Sequence, residues 1–316
     1  MKNIRKVSTV GMPKDTWLGL RRGSIGGSDA GTVLGLNPYS SPYALWAEKT
    51  GKLIPADISD KEAVRLGNDL EQYVADRFSK ATGKKIRRCN AILYNEDYPF
   101  AHANPDRLIA AEPAGLECKT TSSWEILEQC RNGDFPKQWY CQIMHYMMVT
   151  GYEKWYLAVL VFGQGFFWFE ITRNESEIKA LAAAEEAFWT GNVLTDIPPA
   201  VDGTDATQEA IKTIFADSAD EKTDLTAVSD AVYAYIACSK QIKELETLKK
   251  QSQAQIQTFM QTAERGELPG VAGVTWRPQR RSSFDRESYE KDHGPVDGKY
   301  FTVTESRTFR LTNKNK

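Results

Sequence analysis

Three side chains near the middle of the chain have the types and spacing for phosphoester chemistry: Asp106, Glu117 and Lys119. Asn104-Pro105-Asp106 reads as a turn, and Pro105 keeps Asn104 out of the helical region, which presents Asp106 at the start of a strand through Leu108-Ile109-Ala110. Glu112-Pro113-Ala114-Gly115 reads as a second turn that sends the chain back through Leu116 to Thr120. Side chains alternate along a strand, so Glu117 and Lys119 project from one face and Cys118 from the other, toward an apolar layer. One hairpin over residues 103–120 therefore gathers two carboxylates and an ammonium. Two carboxylates suit a hard cation such as Mg²⁺, with positions left for water and a phosphate oxygen. Such an ion makes bound water more acidic, and a nearby ammonium orients that water or stabilises charge developing at phosphorus. A same-face Glu–Lys pair is also common on ordinary surface strands, so the trio needs support from the rest of the chain.

Five further stretches supply elements that could position it. Asp15-Thr16-Trp17 starts a helix that ends at Arg21 and Arg22, and Gly23 to Asp29 form a Gly-rich turn with Ser28-Asp29 capping a helix from Ala30 to Leu36. Such a turn offers N–H groups and a helix dipole to an anion, with the Ser28 hydroxyl and the Arg21 fork beside them, although an ordinary capped helix has the same sequence. Residues 59–81 have helical periodicity, with Gly67 and Glu71 on one face, where a small Gly would let Glu71 approach the hairpin. Residues 136–150 form another helix, on which Gln138, Gln142 and Tyr146 make one polar stripe. Residues 155–160 and 165–171 read as two strands completing a central sheet, and 175–190 as a helix closing the core. His102, His145 and His293 lack metal-ligand spacing and receive no role.

Pro105-Asp106 followed by Glu117-Cys118-Lys119 has the form of the PD-(D/E)xK nuclease signature. Leu66 to Glu71 precede it, Gln138 to Tyr146 follow it, and Trp17 to Ala30 lie near the start. In order and spacing these blocks resemble the YqaJ-type phage recombinases, relatives of phage lambda exonuclease, over residues 15–200. The resemblance implies an α/β, restriction-endonuclease-like core with a mixed central sheet flanked by helices. It implies metal ligation by Asp106 and Glu117, with Glu71 assisting and the Cys118 backbone carbonyl contributing. Lys119 would orient water, Gln142 would support it, and Arg21 and Ser28 would hold a 5′-phosphate. The expected cofactor is Mg²⁺, two ions, with Mn²⁺ able to substitute. The implied activity is 5′-to-3′ degradation of double-stranded DNA ends, leaving a 3′ single strand for phage-type recombination. A single-strand annealing protein and a homotrimeric ring are the partners the resemblance suggests, in a bacterial cytoplasm and of phage or prophage origin. A restriction-like or structure-specific endonuclease would use the same trio. A non-catalytic DNA-end or nucleotide-phosphate binding protein would use the Gly-rich turn alone, although no strand precedes that turn as a dinucleotide fold requires.

The 316 residues, 41% hydrophobic and 11% aromatic, are enough for a large core. The net charge of −2 carries no global signature of nucleic-acid binding, so any basic surface must be local. Five cysteines without a CxxC pair argue for reduced thiols and against zinc or iron–sulfur sites. No apolar run reaches a membrane span and no signal peptide opens the chain, so a soluble cytoplasmic protein is expected. The expected organisation is a core at 1–200, a linker at 201–224 and an extension of unknown role at 225–316. That extension would hold a long amphipathic helix in 225–265, a strand at 270–277 and a returning strand pair at 300–304 and 307–311. From Trp276 to Lys316 ten basic residues face six acidic ones, a small local excess of positive charge.

Overall fold

The central hairpin belongs to a five-stranded mixed sheet. The computed structural model describes residues 3–55, 57–303 and 306–312. The chain divides into two compact units, Met1–Phe215 and Ala216–Lys316. The first unit begins with Ile4–Ser8 (β1), Lys14–Arg22 (α1), Ile25–Gly26 (β2), Gly27–Val33 (α2), Pro42–Lys49 (α3) and Glu62–Thr82 (α4). It continues with Ile86–Arg88 (β3), Ala91–Asn95 (β4), Ala101–Ala103 (β5), Arg107–Ile109 (β6) and Ala114–Thr121 (β7). Trp124–Arg131 (α5), Lys137–Thr150 (α6), Lys154–Val161 (β8), Gly165–Thr172 (β9), Glu175–Phe188 (α7) and Asp205–Ile214 (α8) complete it.

The main sheet has the order β3-β6-β7-β8-β9. Only the β7–β8 pair is parallel, reached through the α5–α6 crossover that parallel strands need. A second sheet, β1-β4-β5-β2, pairs β2 with β5 in parallel and sets Gly26 opposite His102. The expected hairpin is therefore β6–β7, while 101–103 belong to the other sheet, and Asn104-Pro105-Asp106 carry the chain from one sheet to the other.

The main sheet is covered on both faces. Leu116, Tyr156 and Ala158 meet Val74, Ala75 and Phe78 of α4, with Cys118 packed at the edge of this cluster. Leu157 and Val159 face the other way, into the larger core with Ile143, Met144 and Met147 of α6. Helix α6 is buried all round from Cys141 to Thr150, the mark of a core helix and not of an amphipathic surface one. Gly115, expected in a turn, lies inside β7, where a Cβ would stand 2.2 Å from the Trp155 ring. Gly67 has the opposite result: a Cβ there would meet only Thr120 Oγ1, at an ordinary 3.6 Å, so the approach of α4 to the hairpin does not depend on it.

Within the expected 201–224 linker, residues 205–214 form α8, which packs on α3 and joins the Thr207 hydroxyl to that of Ser41 at 2.7 Å. The core unit thus runs past residue 200, because Ala210 and Thr207 are buried against it. In the second unit Ser229–Met260 (α9) is followed by Arg265–Leu268 (β10), Ala272–Thr275 (β11) and Arg286–His293 (α10). Strand β11 pairs with β10. Gly270 at φ 72° supplies the left-handed turn that makes this local reversal the nearest partner. Residues 301–303 and 306–311 form no strand, while 304–305 and 313–316 lie outside the described residues. No helix among the described residues is long and apolar enough to cross a membrane.

Candidate active site

Each member of the central trio is fixed by the sheet. Asp106 precedes β6, and its Oδ2 accepts from the Cys118 N–H at 2.8 Å, which ties the carboxylate to the facing strand. Glu117 is paired in register with Leu157, whose side chain belongs to the α6 side of the sheet. On that side Glu117 Oε1 accepts from Gln142 Nε2 at 2.7 Å and from Lys119 Nζ at 2.7 Å. Lys119 Nζ also donates to Gln142 Oε1 at 2.9 Å. Gln142 Nε2 lies 2.9 Å from the Tyr146 hydroxyl, and that hydroxyl donates to the Asn104 carbonyl at 3.3 Å. The amide thus bridges the ammonium and the carboxylate, and the strand pattern and the helical stripe meet at one cluster. Gln138 does not join it; its backbone and Cβ fill the space where a Cβ on Gly31 would lie, at 2.8 Å.

The charges respond to this enclosure. Burial, then the charges of Glu117 and Glu71, hold the Asp106 carboxyl well above the ordinary carboxylate range. Burial opposes the charge on Lys119, but Glu117 and Asp106 outweigh it and raise the ammonium's pKa. Burial and the neighbouring carboxylates keep the Cys118 thiol protonated. Glu117 Oε2 is buried without a hydrogen-bond partner.

Glu71 comes from helix α4 and adds to the like charge around Asp106. Arg107 pairs in register with Leu116 and so points to the α4 side, where Nη1 binds Glu71 Oε1 and Nη2 donates to Gln72 Oε1 at 3.1 Å. Glu71, expected to assist as a metal ligand, lines the same cleft as Asp106 and Glu117, with its Oε1 engaged by the buried Arg107 guanidinium. Among the described residues no group of three or more His, Cys, Asp or Glu side chains is placed to hold a metal ion. The Asp106–Glu117 pair nonetheless fits a hard cation, because two enclosed like charges and a bare carboxylate oxygen favour a positive partner.

Arg21 and Ser28 come together across the turn. Arg21 Nη2 donates to Ser28 Oγ at 3.0 Å, and its guanidinium stacks on Trp17 at 4.5 Å from the ring centroid. The glycine backbone is less available than expected. Gly26 N–H donates to Asp29 Oδ2 at 2.9 Å, and α2 begins at Gly27 and has only seven residues. Lys49, which has no sequence motif, braces the turn from below. Its ammonium pairs with Asp29 at 2.7 Å and donates to the Arg21 and Ser24 carbonyls, each at 2.9 Å. Burial would raise the Asp29 carboxyl, but Lys49 and the Gly26 N–H hold it below its ordinary value. Arg22 takes no part in the cleft wall.

Both groups face one cleft of about 520 Å³, lined by Arg21, Ser28, Glu71, Asp106, Glu117 and Gln142 among others. Arg107 and His102 also line it, and neither was singled out by the sequence. Arg107 lies one residue after Asp106 and would read as an ordinary strand charge until the α4 register is known.

The YqaJ-like viral recombinase domain model matches residues 16–153. The uncharacterized protein YqaJ of Bacillus subtilis (strain 168) is 38% identical over 304 residues, covering 95% of this chain and 94% of its own. Protein D345L of African swine fever virus (strain Badajoz 1971 Vero-adapted) is 57% identical over 35 residues, 11% of this chain and 10% of its own. Among solved structures, the alkaline exonuclease LHK-Exo from Laribacter hongkongensis superposes with a TM-score of 0.48 at 19% identity, covering 58% of this chain and 94% of that one. LHK-Exo in complex with dAMP gives 0.49 at 18% identity over the same shares of the two chains. The domain match spans the cleft residues from Arg21 to Tyr146, and the full-length relative shares more than a third of its positions: the chain belongs to the YqaJ-like viral recombinase family.

Proposed function

We propose that this protein is a Mg²⁺-dependent deoxyribonuclease that degrades linear duplex DNA from 5′-phosphorylated ends and leaves a 3′ single strand. The observation that carries the reading is the Glu117–Lys119–Gln142 cluster beside Asp106, set in the same cleft as the Arg21–Ser28 pair. Asp106 and Glu117 would hold the metal, with the Cys118 carbonyl, water and phosphate oxygens completing its coordination. The bound ion would supply a more acidic water and charge neutralisation at phosphorus. Lys119, whose pKa is raised, stays an ammonium. It therefore acts as a donor that orients the attacking water and stabilises the anionic transition state, and it does not act as a base. Gln142 fixes the ammonium and Glu117 in one geometry. Arg21 and Ser28 would anchor the terminal phosphate, which would give the enzyme its end requirement and its direction.

The test uses the purified protein, a linear duplex with 5′-phosphates labelled at either terminus, and the same DNA as a covalently closed circle. Early release of the 5′ label with Mg²⁺, none with EDTA, and an intact circle are expected. Cutting of the circle would replace the exonuclease with an endonuclease, and no cleavage with Mg²⁺ or Mn²⁺ would leave a binding protein.

A further inference from the structure

The cleft wall between the Gly-rich turn and the carboxylate pair carries an imidazole for which the chemistry above has no use. His102 on β5 is 1% exposed and lies opposite Gly26 in the sheet register. Its Nδ1 stands 2.8 Å from Ser24 Oγ, which fixes the ring. Its Nε2 is buried, has no hydrogen-bond partner, and belongs to a ring that lines the same cleft as Arg21 and Ser28. Buried polar atoms are rarely left bare, and one that is bare calls for a partner such as a water, an ion or a ligand. Residue 26 keeps that nitrogen clear: any Cβ there would stand 2.9 Å from Nε2.

We propose that His102 is a third side chain of the 5′-phosphate pocket, donating its Nε2–H to a terminal phosphate oxygen beside Arg21 and Ser28. The inference rests on the end-binding role given above to those two residues. When the Ser24 hydroxyl donates to Nδ1, the single proton of a neutral imidazole lies on Nε2, the unpartnered nitrogen of the ring that lines the cleft. Burial, then the charge of His145, holds the ring neutral with a pKa of about 3, so it offers a donor without adding a second buried cation. Arg21 supplies the charge and His102 the fixed direction. An end that carries a hydroxyl leaves Nε2–H bare, and this mismatch is what discriminates against it.

The experiment measures initial rates of full-length protein with Mg²⁺ on duplexes ending in 5′-phosphate or 5′-hydroxyl, below saturation, and takes the ratio. In His102→Asn the amide can reach Ser24 but not the cleft; in His102→Gln the amide nitrogen takes the place of Nε2. The ratio should fall about tenfold or more in His102→Asn, as for loss of a hydrogen bond to a charged group, and recover in His102→Gln. An unchanged ratio in His102→Asn, with the ratio lost in Arg21→Ala, overturns the role of His102 and leaves the pocket standing. A ratio unchanged in Arg21→Ala as well removes the pocket, and the inference with it. A readout that needs no variant is ¹⁵N NMR of histidine-labelled wild-type protein in EDTA. Nε2 of His102 should shift on adding the 5′-phosphorylated duplex and not the 5′-hydroxyl one; equal behaviour with both overturns the proposal.

Discussion

Lys119 is held by Glu117 at 2.7 Å and by Gln142 at 2.9 Å, and these contacts separate its roles. An ammonium so placed donates, so Lys119→Ala should lower kcat for duplex cleavage by about 10²–10³, the scale of losing one preorganised donor. Lys119→Arg should not rescue it, because a planar fork cannot share one point between Glu117 and Gln142. Retained cleavage in Lys119→Ala would remove this residue from the chemistry. Asp106 carries a cost that the same cleavage explains. It is enclosed with like charges from Glu117 and Glu71, so Asp106→Asn should abolish cleavage yet unfold in EDTA at a Tm equal to or above wild type. A clearly lower Tm would show that the charge is not a burden. His102 has the sign of a buried base: its folded pKa of about 3 lies below the ordinary histidine value of 6.5. Its contribution to stability is therefore present above pH 6.5 and is lost as pH falls from 6.5 toward 3, by at most about 1.4 kcal/mol per pH unit. Urea midpoints between pH 7 and pH 5 should fall less steeply in His102→Gln than in wild type, and parallel slopes would contradict it.

Helix α6 connects the residue chemistry to the core through a contact that no motif announces. His145 Nδ1 lies 2.8 Å from Glu185 Oε1 on α7, and its Nε2 lies 2.8 Å from the His102 carbonyl on β5. Nε2 faces a carbonyl acceptor and Nδ1 the Glu185 carboxyl, so the two side chains form a fully buried hydrogen-bonded pair. Burial opposes charge on both partners: Glu185 outweighs it and raises the His145 pKa, while burial raises the Glu185 carboxyl against the pull of His145, so the stabilisation that His145 contributes fades as pH rises into the alkaline range. His145→Ala strands Glu185 and should cost about 3–5 kcal/mol in chemical denaturation, whereas a loss under 1 kcal/mol would show that Glu185 is neutral in the fold. Gly115→Ala should cost about 1–3 kcal/mol, since its methyl would press on Trp155. These two positions show where sequence reading ends. The β6–β7 hairpin, the Glu117–Lys119 face and the Gln142–Tyr146 stripe follow from periods of 2 and 3.6 and were legible from neighbouring residues. Glu185, Lys49, Arg107 and the true reason for Gly115 depend on which element lies opposite, and no local period carries that. Residues 301–303 and 306–311 differ in the other direction: Phe, Val and Thr favour a strand, but β11 already has its partner in β10.

At the scale of the whole chain, the two units differ in what holds them. Every residue of the two buried clusters lies between Ile25 and Ala210, so residues 1–215 contain a complete core. In residues 216–316 the buried apolar residues among those described reduce to Met260, while Ile242, Leu245, Leu248 and Phe259 of α9 are all exposed. A helix of 32 residues can form on propensity and length, but cooperative unfolding requires buried area that this unit does not have. A fragment 1–215 should therefore unfold in a single cooperative thermal transition. A fragment 216–316 should show helical circular dichroism that declines gradually with temperature. The Glu117–Lys119–Gln142 cluster and the Arg21–Ser28 pair both lie within 1–215, so that fragment should also keep the proposed Mg²⁺-dependent cleavage of linear duplex, with kcat within about tenfold of the full chain. Loss of cleavage in a fragment that still unfolds cooperatively would show that residues 216–316 contribute to the reaction itself. Cooperative unfolding of 216–316 alone would show a core in that unit, and would turn the exposed face of α9 from an open surface into the outside of a second domain.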